Sequence, residues 1–259
     1  MAAIVTGAGG TGCGRAIALR LARDGRPIVV SDTNEAGGLE TVRLIESAGG
    51  RAIYCRTDVR DEAQVRSLID SAATAFDGLS ILVNNASAPH PTAEGIAGWS
   101  QSIETDFLGA LHATRYAIDA MRATGGGAIV NLTSISALWH GRTTPGGFPG
   151  YDVAKAALIR LTTALAPVVE KDGIRINCLA PGWIATDGPR QYWESLTPDE
   201  RLARGVPSTL LTPDQIADVV VRLATDRTLN GRMVAWWSED SPRLVRWGDR
   251  GYREFEEFV

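Results

Sequence analysis

Short apolar runs rich in β-branched residues recur along the chain, and they alternate with longer segments whose apolar positions repeat every three or four residues. The short runs are continuous rather than alternating, which is typical of strands buried on both faces of a sheet. The longer segments have the spacing that keeps apolar side chains on one face of a helix. Strands are predicted at residues 2–5, 27–30, 52–55, 81–83, 128–132, 174–179 and 233–236.

The alternation of strands and helices predicts a single α/β domain over residues 1–259. Because crossovers between parallel strands are right-handed, we expect a doubly wound, Rossmann-type parallel sheet of about seven strands with helices on both faces. Ligands of such sheets bind at the carboxyl ends of the strands. Residues 183–212 carry several prolines and no clear period, so we predict a substrate lid there, and residues 238–259 form a C-terminal tail.

Composition and charge narrow the range of partners. The net charge of −4 at pH 7 favours neither nucleic acid nor an anionic membrane as a partner. No apolar run approaches the roughly 20 residues that span a bilayer, and no leader peptide is visible before the first strand. Three cysteines at wide spacings indicate neither a disulfide framework nor a metal site. We therefore expect a cytoplasmic protein without a bound metal.

A glycine-rich turn follows the first predicted strand and leads into the first predicted helix. Glycines allow the backbone N–H groups to approach a pyrophosphate closely, and the positive end of the helix dipole favours that anion. The alternative interpretation is a tight strand–helix turn without a ligand. The candidate cofactor-binding residues of this turn are Gly7, Thr11, Gly12, Cys13 and Gly14.

Asp32 ends the second predicted strand, close to the roughly 20-residue offset at which an acidic residue holds the ribose of adenosine. A carboxylate at this place accepts hydrogen bonds from both ribose hydroxyls and repels a 2′-phosphate, so NAD rather than NADP is the expected cofactor. The alternative role for Asp32 is to cap the helix that begins near Glu35. Arg15 is the one nearby residue that would tolerate NADP.

Further motifs follow in order, most of them at the ends of predicted strands. They are Asp58-Val59, Asn84-Asn85-Ala86, Ser134, Tyr151-Asp152-Val153-Ala154-Lys155, Asn177-Cys178-Leu179-Ala180-Pro181-Gly182 and Thr186. Together with the glycine-rich turn, this series resembles the short-chain dehydrogenase/reductase family from residue 2 to about residue 236. The resemblance implies an oxidoreductase that transfers a hydride between NAD and a secondary alcohol or ketone.

The resemblance also implies a set of contacts with the cofactor. Asp58 and Val59 would contact the adenine, and Asn85 and Ala86 would lie near the nicotinamide ribose. Ile184 and Thr186 would contact the carboxamide of the nicotinamide.

The same resemblance assigns the chemical step to three residues. Ser134 would bond to the substrate oxygen, Tyr151 would transfer the proton, and Lys155 would hold the ribose hydroxyls, so that Tyr151 and Lys155 also count among the cofactor-binding residues. Tyrosine has an unperturbed pKa of about 10. Lys155 lies one helical turn beyond Tyr151, so we expect its ammonium to lower the pKa of the phenol. Without the other motifs, Tyr151 and Lys155 would be interpreted as an ordinary exposed pair.

The sequence departs from the family pattern at several places. The glycine-rich turn has one residue more than usual, which predicts a bulge near Gly10 and Thr11. A longer loop at residues 138–150 is expected to shape the substrate pocket, and the seventh strand ends without the usual Asp-Gly-Gly.

The fourth candidate catalytic residue, Asp106, replaces an asparagine of the family's proton relay. If the relay uses the backbone carbonyl, little is lost. A carboxylate near Lys155 would instead raise the pKa of Tyr151 and give an alkaline-leaning enzyme. That hypothesis fails if Asp106→Asn leaves the pH–rate profile unchanged.

Two other functions stay open. An epimerase or dehydratase on the related nucleotide-sugar scaffold would need a glycine where Cys13 stands. A regulator that binds NAD(P) without turnover is disfavoured by Ser134, Tyr151 and Lys155. The expected partner is a small alcohol or carbonyl compound, hydrophobic or cyclic because Trp183 adjoins the predicted pocket. By resemblance the chain forms a homo-oligomer, a tetramer or dimer.

Overall fold

The computed structural model describes residues 1–89, 95–139 and 148–246. Most of the loop predicted at residues 138–150 and of the tail at residues 238–259 therefore lies outside the described residues. The strands are β1 (Ala2–Thr6), β2 (Ile28–Asp32), β3 (Ala52–Arg56), β4 (Leu79–Asn84), β5 (Gly127–Leu132), β6 (Ile174–Pro181), β7 (Met233–Trp236) and β8 (Arg243–Leu244).

The helices are α1 (Cys13–Arg23), α2 (Glu35–Ser47), α3 (Glu62–Phe76), α4 (Trp99–Ser102), α5 (Gly109–Ala123), α6 (Pro149–Val169), α7 (Asp187–Glu194), α8 (Pro198–Ala203) and α9 (Pro213–Thr225). A π-helical segment, Ile103–Leu108, joins α4 to α5, and a 3₁₀ turn, Ile135–Leu138, follows β5. No helix in the described part of the chain is long and apolar enough to cross a membrane.

The strands form one sheet in the order β3-β2-β1-β4-β5-β6-β7-β8. The first seven strands are parallel, so the predicted doubly wound architecture is confirmed. The strand order reverses between β1 and β4, which creates a crevice at their carboxyl ends. The eighth strand was not predicted; it is two residues long, charged and exposed, and it pairs antiparallel with β7.

Both faces of the sheet are buried, which explains the continuous apolar runs. Successive residues of β1 alternate between the two sides: Ala3 and Val5 pack with α1 and α9, whereas Ala2 and Ile4 pack with α3, α5 and α6. These two apolar layers hold the strand ends rigidly at one edge of the sheet. The side chains that follow the strands are thereby fixed relative to each other.

Some predicted boundaries differ from the structure. The apolar run that predicted the second strand covers residues 27–30, whereas β2 spans Ile28–Asp32: Pro27 has no N–H for the ladder, and the strand continues through Ser31 to end at Asp32, as expected. Within residues 183–212, where the sequence shows no clear period, the structure has two short helices. The second of them begins with a capping box between Thr197 and Glu200.

Candidate active site

The glycine-rich turn lies in the crevice at the end of β1, and two of its glycines, Gly7 and Gly14, are packed too tightly for a side chain. A Cβ on Gly14 would overlap the carbonyl oxygen of Gly7 and lie 2.6 Å from Nδ2 of Asn85. Gly7 has a φ of +67°, and a Cβ there would lie 2.8 Å from Cα of Ala86. The amide of Asn85 donates to the carbonyl oxygens of Thr6 at 2.9 Å and Gly7 at 3.1 Å. The turn is therefore held against the end of β4.

A cavity of about 580 Å³ opens along this turn. It runs from the end of β2, past the turn, to the loop that follows β4, which is a shape that fits an extended dinucleotide. Ser134, Tyr151 and Lys155 are not among its described lining residues. Those residues are Gly7, Gly10, Gly12, Cys13, Gly14, Asp32, Thr33, Asn34, Thr57, Asp58, Val59, Arg60, Asn85, Ala86, Ser87, Ala88, Pro89, Gln101 and Thr105.

The extra residue of the turn contacts the lid segment. The hydroxyl of Thr11 donates to the carboxylate of Asp187 at 3.1 Å, and a Cβ on Gly12 would lie 3.1 Å from Cγ2 of Thr186. Gly10 lines the cavity, whereas Thr11 does not. The insertion thus turns Thr11 towards the start of α7 rather than towards the predicted pyrophosphate position.

Asp32 lies at one end of the cavity and braces the turn. One carboxylate oxygen accepts from the Gly9 N–H at 2.7 Å and the other from the Asn34 N–H at 2.9 Å. The helix α2 is capped by Asn34, whose side chain accepts from the Gly37 N–H at 3.1 Å. The alternative in which Asp32 caps this helix is therefore wrong, because Asn34 stands one position before the helix.

Arg15 does not line the cavity, although it was the one residue expected to tolerate NADP. Its guanidinium donates to the hydroxyl of Thr41 at 2.9 Å and to the carbonyl oxygens of Gly9 at 3.3 Å and Gly37 at 3.1 Å. These three bonds hold the cation behind the glycine-rich turn. Asp32 is thus not neutralised by Arg15 in the part of the site that the structure describes.

The next pair of predicted cofactor residues lies farther along the same cavity. Val59 is buried against Gly109, and Asp58 forms an ion pair with Arg60 at 2.5 Å. The Arg60 side chain holds the pKa of Asp58 below its usual range. Arg60 also lines the cavity and was missed in the sequence, although a cation two residues after Asp58 was a readable signal.

Ser134, Tyr151 and Lys155 come together beside the cavity, where β5 and α6 meet. Ser134 begins the 3₁₀ turn after β5, and its hydroxyl oxygen accepts from the N–H and the hydroxyl of Ser136 at 3.2 and 2.9 Å. Lys155 is buried and donates to the carbonyl oxygen of Leu132 at 3.1 Å. Its nitrogen lies 5.2 Å from the centre of the Tyr151 ring. The interpretation of Tyr151 and Lys155 as an exposed surface pair is therefore wrong.

The pKa of Tyr151 is raised in this environment, and burial of the phenol is the largest cause. The Lys155 ammonium and a hydrogen bond with Ser134 lower the pKa, whereas the negative charges of Asp106 and Asp152 raise it. The expected effect of Lys155 is present. The pKa of Tyr151 in the chain without cofactor is nevertheless raised, whereas a lowered pKa was expected, because helical spacing does not reveal how deeply the phenol is buried.

Asp106 lies in the π-helical segment and is almost fully buried. Its carboxylate accepts from the Ser87 hydroxyl at 2.7 Å and from the Ala88 N–H at 2.6 Å, and it lies 3.5 Å from Nζ of Lys155. The structure thus brings Asp106 close to Lys155, as the sequence led us to expect. Ser87 was missed, because nothing in the sequence connects it with a residue in a later helix.

The last predicted cofactor residues lie on the lid segment. Ile184 pairs with Leu211 in an isolated bridge, and Thr186 precedes α7. The ring of Trp183 stacks on that of Tyr192 with centroids 5.9 Å apart. The segment predicted as a lid therefore carries a stacked aromatic pair, and Thr186 and Asp187 contact the glycine-rich turn.

Three comparisons place this geometry among known proteins. A family model described as enoyl-(acyl carrier protein) reductase matches residues 7–234. The chain is 36% identical over 235 residues to cis-4-hydroxycyclohexanecarboxylate dehydrogenase of Sinomonas cyclohexanicum, and the match covers 86% of this chain and 89% of that protein. It is 32% identical over 232 residues to cyclohexanol dehydrogenase of an Acinetobacter species, with 86% and 87% covered.

A solved structure is similar over nearly the whole chain. It is a 7α-hydroxysteroid dehydrogenase in complex with NADH and 7-oxo glycochenodeoxycholic acid, with a TM-score of 0.79 and 29% identity. The similarity covers 90% of this chain and 91% of that chain.

Proposed function

The chain belongs to the short-chain dehydrogenase/reductase family, and on that basis we propose that it is an NAD-dependent dehydrogenase of cyclic secondary alcohols. The family makes it an oxidoreductase that uses a nicotinamide cofactor. The observation that carries the proposal is the grouping of Ser134, Tyr151 and Lys155 near a cavity that is lined by the glycine-rich turn and by Asp32.

A nicotinamide cofactor supplies the hydride acceptor in alcohol oxidation. The residues of this chain would accept the proton and orient the substrate oxygen. The Ser134 hydroxyl donates to that oxygen and orients it, and the ionised Tyr151 phenol accepts the hydroxyl proton as the carbonyl forms. Lys155 favours the ionised phenol through its charge.

The preference for NAD over NADP is attributed to Asp32. Its carboxylate lines the cavity at the end of β2, and Arg15 is engaged behind the turn. An uncompensated carboxylate repels the 2′-phosphate of NADP and accepts hydrogen bonds from the ribose of NAD. The absence of Arg15 from the cavity lining supports this choice, since Arg15 adjoins the glycine-rich turn and is the cation expected to tolerate a 2′-phosphate.

Replacing Asp32 by Ala is expected to lower kcat/KM for NAD about 100-fold, because bonds between a charged acceptor and two hydroxyls are lost. The ratio of kcat/KM with NADP to that with NAD should rise at the same time. The matched control is Asp32→Asn, which keeps a polar acceptor of the same size for the Gly9 N–H. Steady-state kinetics with both cofactors measures the effect. Equal use of NAD and NADP by the unaltered protein would contradict the assignment.

The substrate class is proposed from the aromatic surface of the lid and from the relatives. The rings of Trp183 and Tyr192 stack. Five residues after Ser134, the ring of Trp139 lies with its centroid 6.2 Å from that of Trp237. Flat apolar side chains of this kind suit a saturated ring better than a flexible linear chain, which loses more conformational freedom on binding. Two of the similar dehydrogenases are named for substrates with a cyclohexane ring.

The test is a panel of alcohols with NAD, followed by NADH absorbance. Cyclohexanol and 4-substituted cyclohexanols are expected to give kcat/KM at least tenfold above linear secondary alcohols with the same number of carbons. Binding of NADH without turnover of any alcohol would favour a cofactor-binding regulator instead.

The proposed enzyme is cytoplasmic and forms a homotetramer or dimer through the faces of α4, α5 and α6. Three free thiols, Cys13, Cys55 and Cys178, agree with a reducing compartment. Val153 on α6 is exposed in the single chain, which gives that helix an apolar surface to bury. Sedimentation velocity distinguishes the assembly states.

A further inference from the structure

The carboxylate of Asp106 lies between the cofactor cavity and the buried Lys155. On the cavity side, Ser87 and Ala88 follow β4 and line the cavity. The Ser87 hydroxyl donates to Oδ2 of Asp106 at 2.7 Å, and the Ala88 N–H donates to Oδ1 at 2.6 Å. Both carboxylate oxygens are thus engaged by one short loop.

The ammonium of Lys155 is close to this carboxylate without forming a tight pair with it. Nζ lies 3.5 Å from Oδ2 of Asp106, whereas charge-assisted N–H···O bonds are usually about 2.7–2.9 Å long. The same nitrogen donates to the carbonyl oxygen of Leu132 at 3.1 Å and lies 5.2 Å from the Tyr151 ring centre. Each member of the pair is therefore held by a different strand end.

We propose that Ser87 is a positioning residue, which holds the Asp106 carboxylate on the loop after β4 and so leaves the Lys155 ammonium available to Tyr151. The proposal rests on the proposed function only in using Tyr151 as the acid/base. Ser87 and Asp106 would act through Lys155 and without contact to the substrate.

The charged and titratable groups around Asp106 support this division. The helix α6 contributes Lys155, Tyr151 and Asp152, and α4 contributes none. In its own segment Glu104 is exposed, and from the following helix His112 is half-buried. Lys155 is therefore the cation among the described groups that is ion-paired with Asp106, and its charge is shared between Asp106 and Tyr151.

The direction of the effect follows from the charges. Without the Ser87 hydroxyl, Oδ2 has Lys155 as its nearest remaining donor, so the ammonium is drawn towards Asp106 and helps Tyr151 less. The pKa of Tyr151, which Lys155 lowers and Asp106 raises, then rises further. Alcohol oxidation needs the ionised phenol, so the acid limb of the pH–rate profile moves to higher pH.

The experiment compares the pH dependence of kcat/KM for alcohol oxidation in four variants. Ser87→Ala is expected to move the acid limb up by about half a pH unit or more, and Asp106→Asn to move it down, because the negative charge is removed. The double variant should match Asp106→Asn, since Ser87 acts through that charge. Ser87→Thr keeps the hydroxyl and should restore the original limb.

The matched control is Ser80→Ala, which removes a hydroxyl from β4 where it donates to the Ala2 carbonyl oxygen, at the other end of the sheet. The acid limb of the pH–rate profile of this control should stay where it is in the unaltered protein. Lower activity in Ser87→Ala with an unmoved limb would mean that Ser87 only stabilises the loop, and it would overturn the proposal. The proposal would also be overturned if the double variant moved the acid limb further than Asp106→Asn does alone.

A second measurement does not require turnover. The chain has five tyrosines, and the phenol carbon signal of Tyr151 in ¹³C-labelled protein can be assigned by its loss in Tyr151→Phe. Its titration midpoint without cofactor should move upwards in Ser87→Ala and downwards in Asp106→Asn. Those shifts without activity on any alcohol would refute the proposed function and retain this inference. Unmoved midpoints would refute the inference alone. If Ser87→Ala unfolds, Ser87→Gly takes its place in both measurements.

Discussion

Tyr151→Phe is expected to lower kcat for alcohol oxidation by about 1,000-fold, the middle of the usual range for general acid–base catalysis. The variant lacks the oxygen that accepts the proton, while the ring still packs against Lys155 and the residues of the cofactor cavity are unchanged. The affinity for NADH, measured by fluorescence titration, should therefore stay within a factor of a few.

Tyr116→Phe is the matched control for this variant. It removes a tyrosine hydroxyl that donates to Glu62 at 2.8 Å on the surface, away from the cavity, and kcat should be unchanged. If Tyr151→Phe keeps more than a tenth of the activity, another group accepts the proton. If it loses NADH binding as well, the Tyr151 hydroxyl also holds the cofactor, and its role is not confined to proton transfer.

Gly14→Ala is expected to have the second largest effect, on stability and cofactor binding together. The added methyl group would overlap the Gly7 carbonyl oxygen and press on Asn85, and backbone at this place cannot move as a flexible side chain can. Overpacking of this kind usually costs about 1–3 kcal/mol or more. A lower melting temperature by several degrees and at least a tenfold weaker Kd for NADH are expected.

The control is Gly188→Ala in α7, where a Cβ has no atom within 4 Å. Its melting temperature and its Kd for NADH should match those of the unaltered protein. Thermal unfolding by circular dichroism and fluorescence titration measure both quantities. A Gly14→Ala variant that binds NADH normally would mean that the glycine-rich turn does not hold the pyrophosphate.

The parallel sheet was predictable because burial on both faces leaves a local signal: apolar runs without alternation at regular intervals. The crevice was predictable too, since Gly7 follows and Asp32 ends a strand that must be parallel to its neighbours. β8 gave no such signal, because a strand of two exposed residues, Arg243 and Leu244, is too short to show an apolar run. The two helices within residues 183–212 are only eight and six residues long, which is too short for a clear apolar period, and of the two only α8 begins with a side-chain cap, at Thr197.

The types of residue at the site could be predicted from the sequence, whereas the pKa of Tyr151 could not. The spacing of Tyr151 and Lys155 predicts that they are neighbours on one helix face. It does not predict the burial that raises the pKa of Tyr151. The role of Ser87 could not be predicted from the sequence for a similar reason. Its hydrogen bond to Asp106 depends on how the loop after β4 packs against a π-helical segment.

The short β8 also determines how the sheet ends. A long exposed edge strand offers free N–H and C=O groups to which another polypeptide can add, and that is a common start of aggregation. Here the edge beside β7 is covered by a strand of two residues that follows Pro242 and contains Arg243, and proline and arginine both oppose further strand addition. This edge of the sheet is therefore a poor template for the addition of a strand from another copy of the chain.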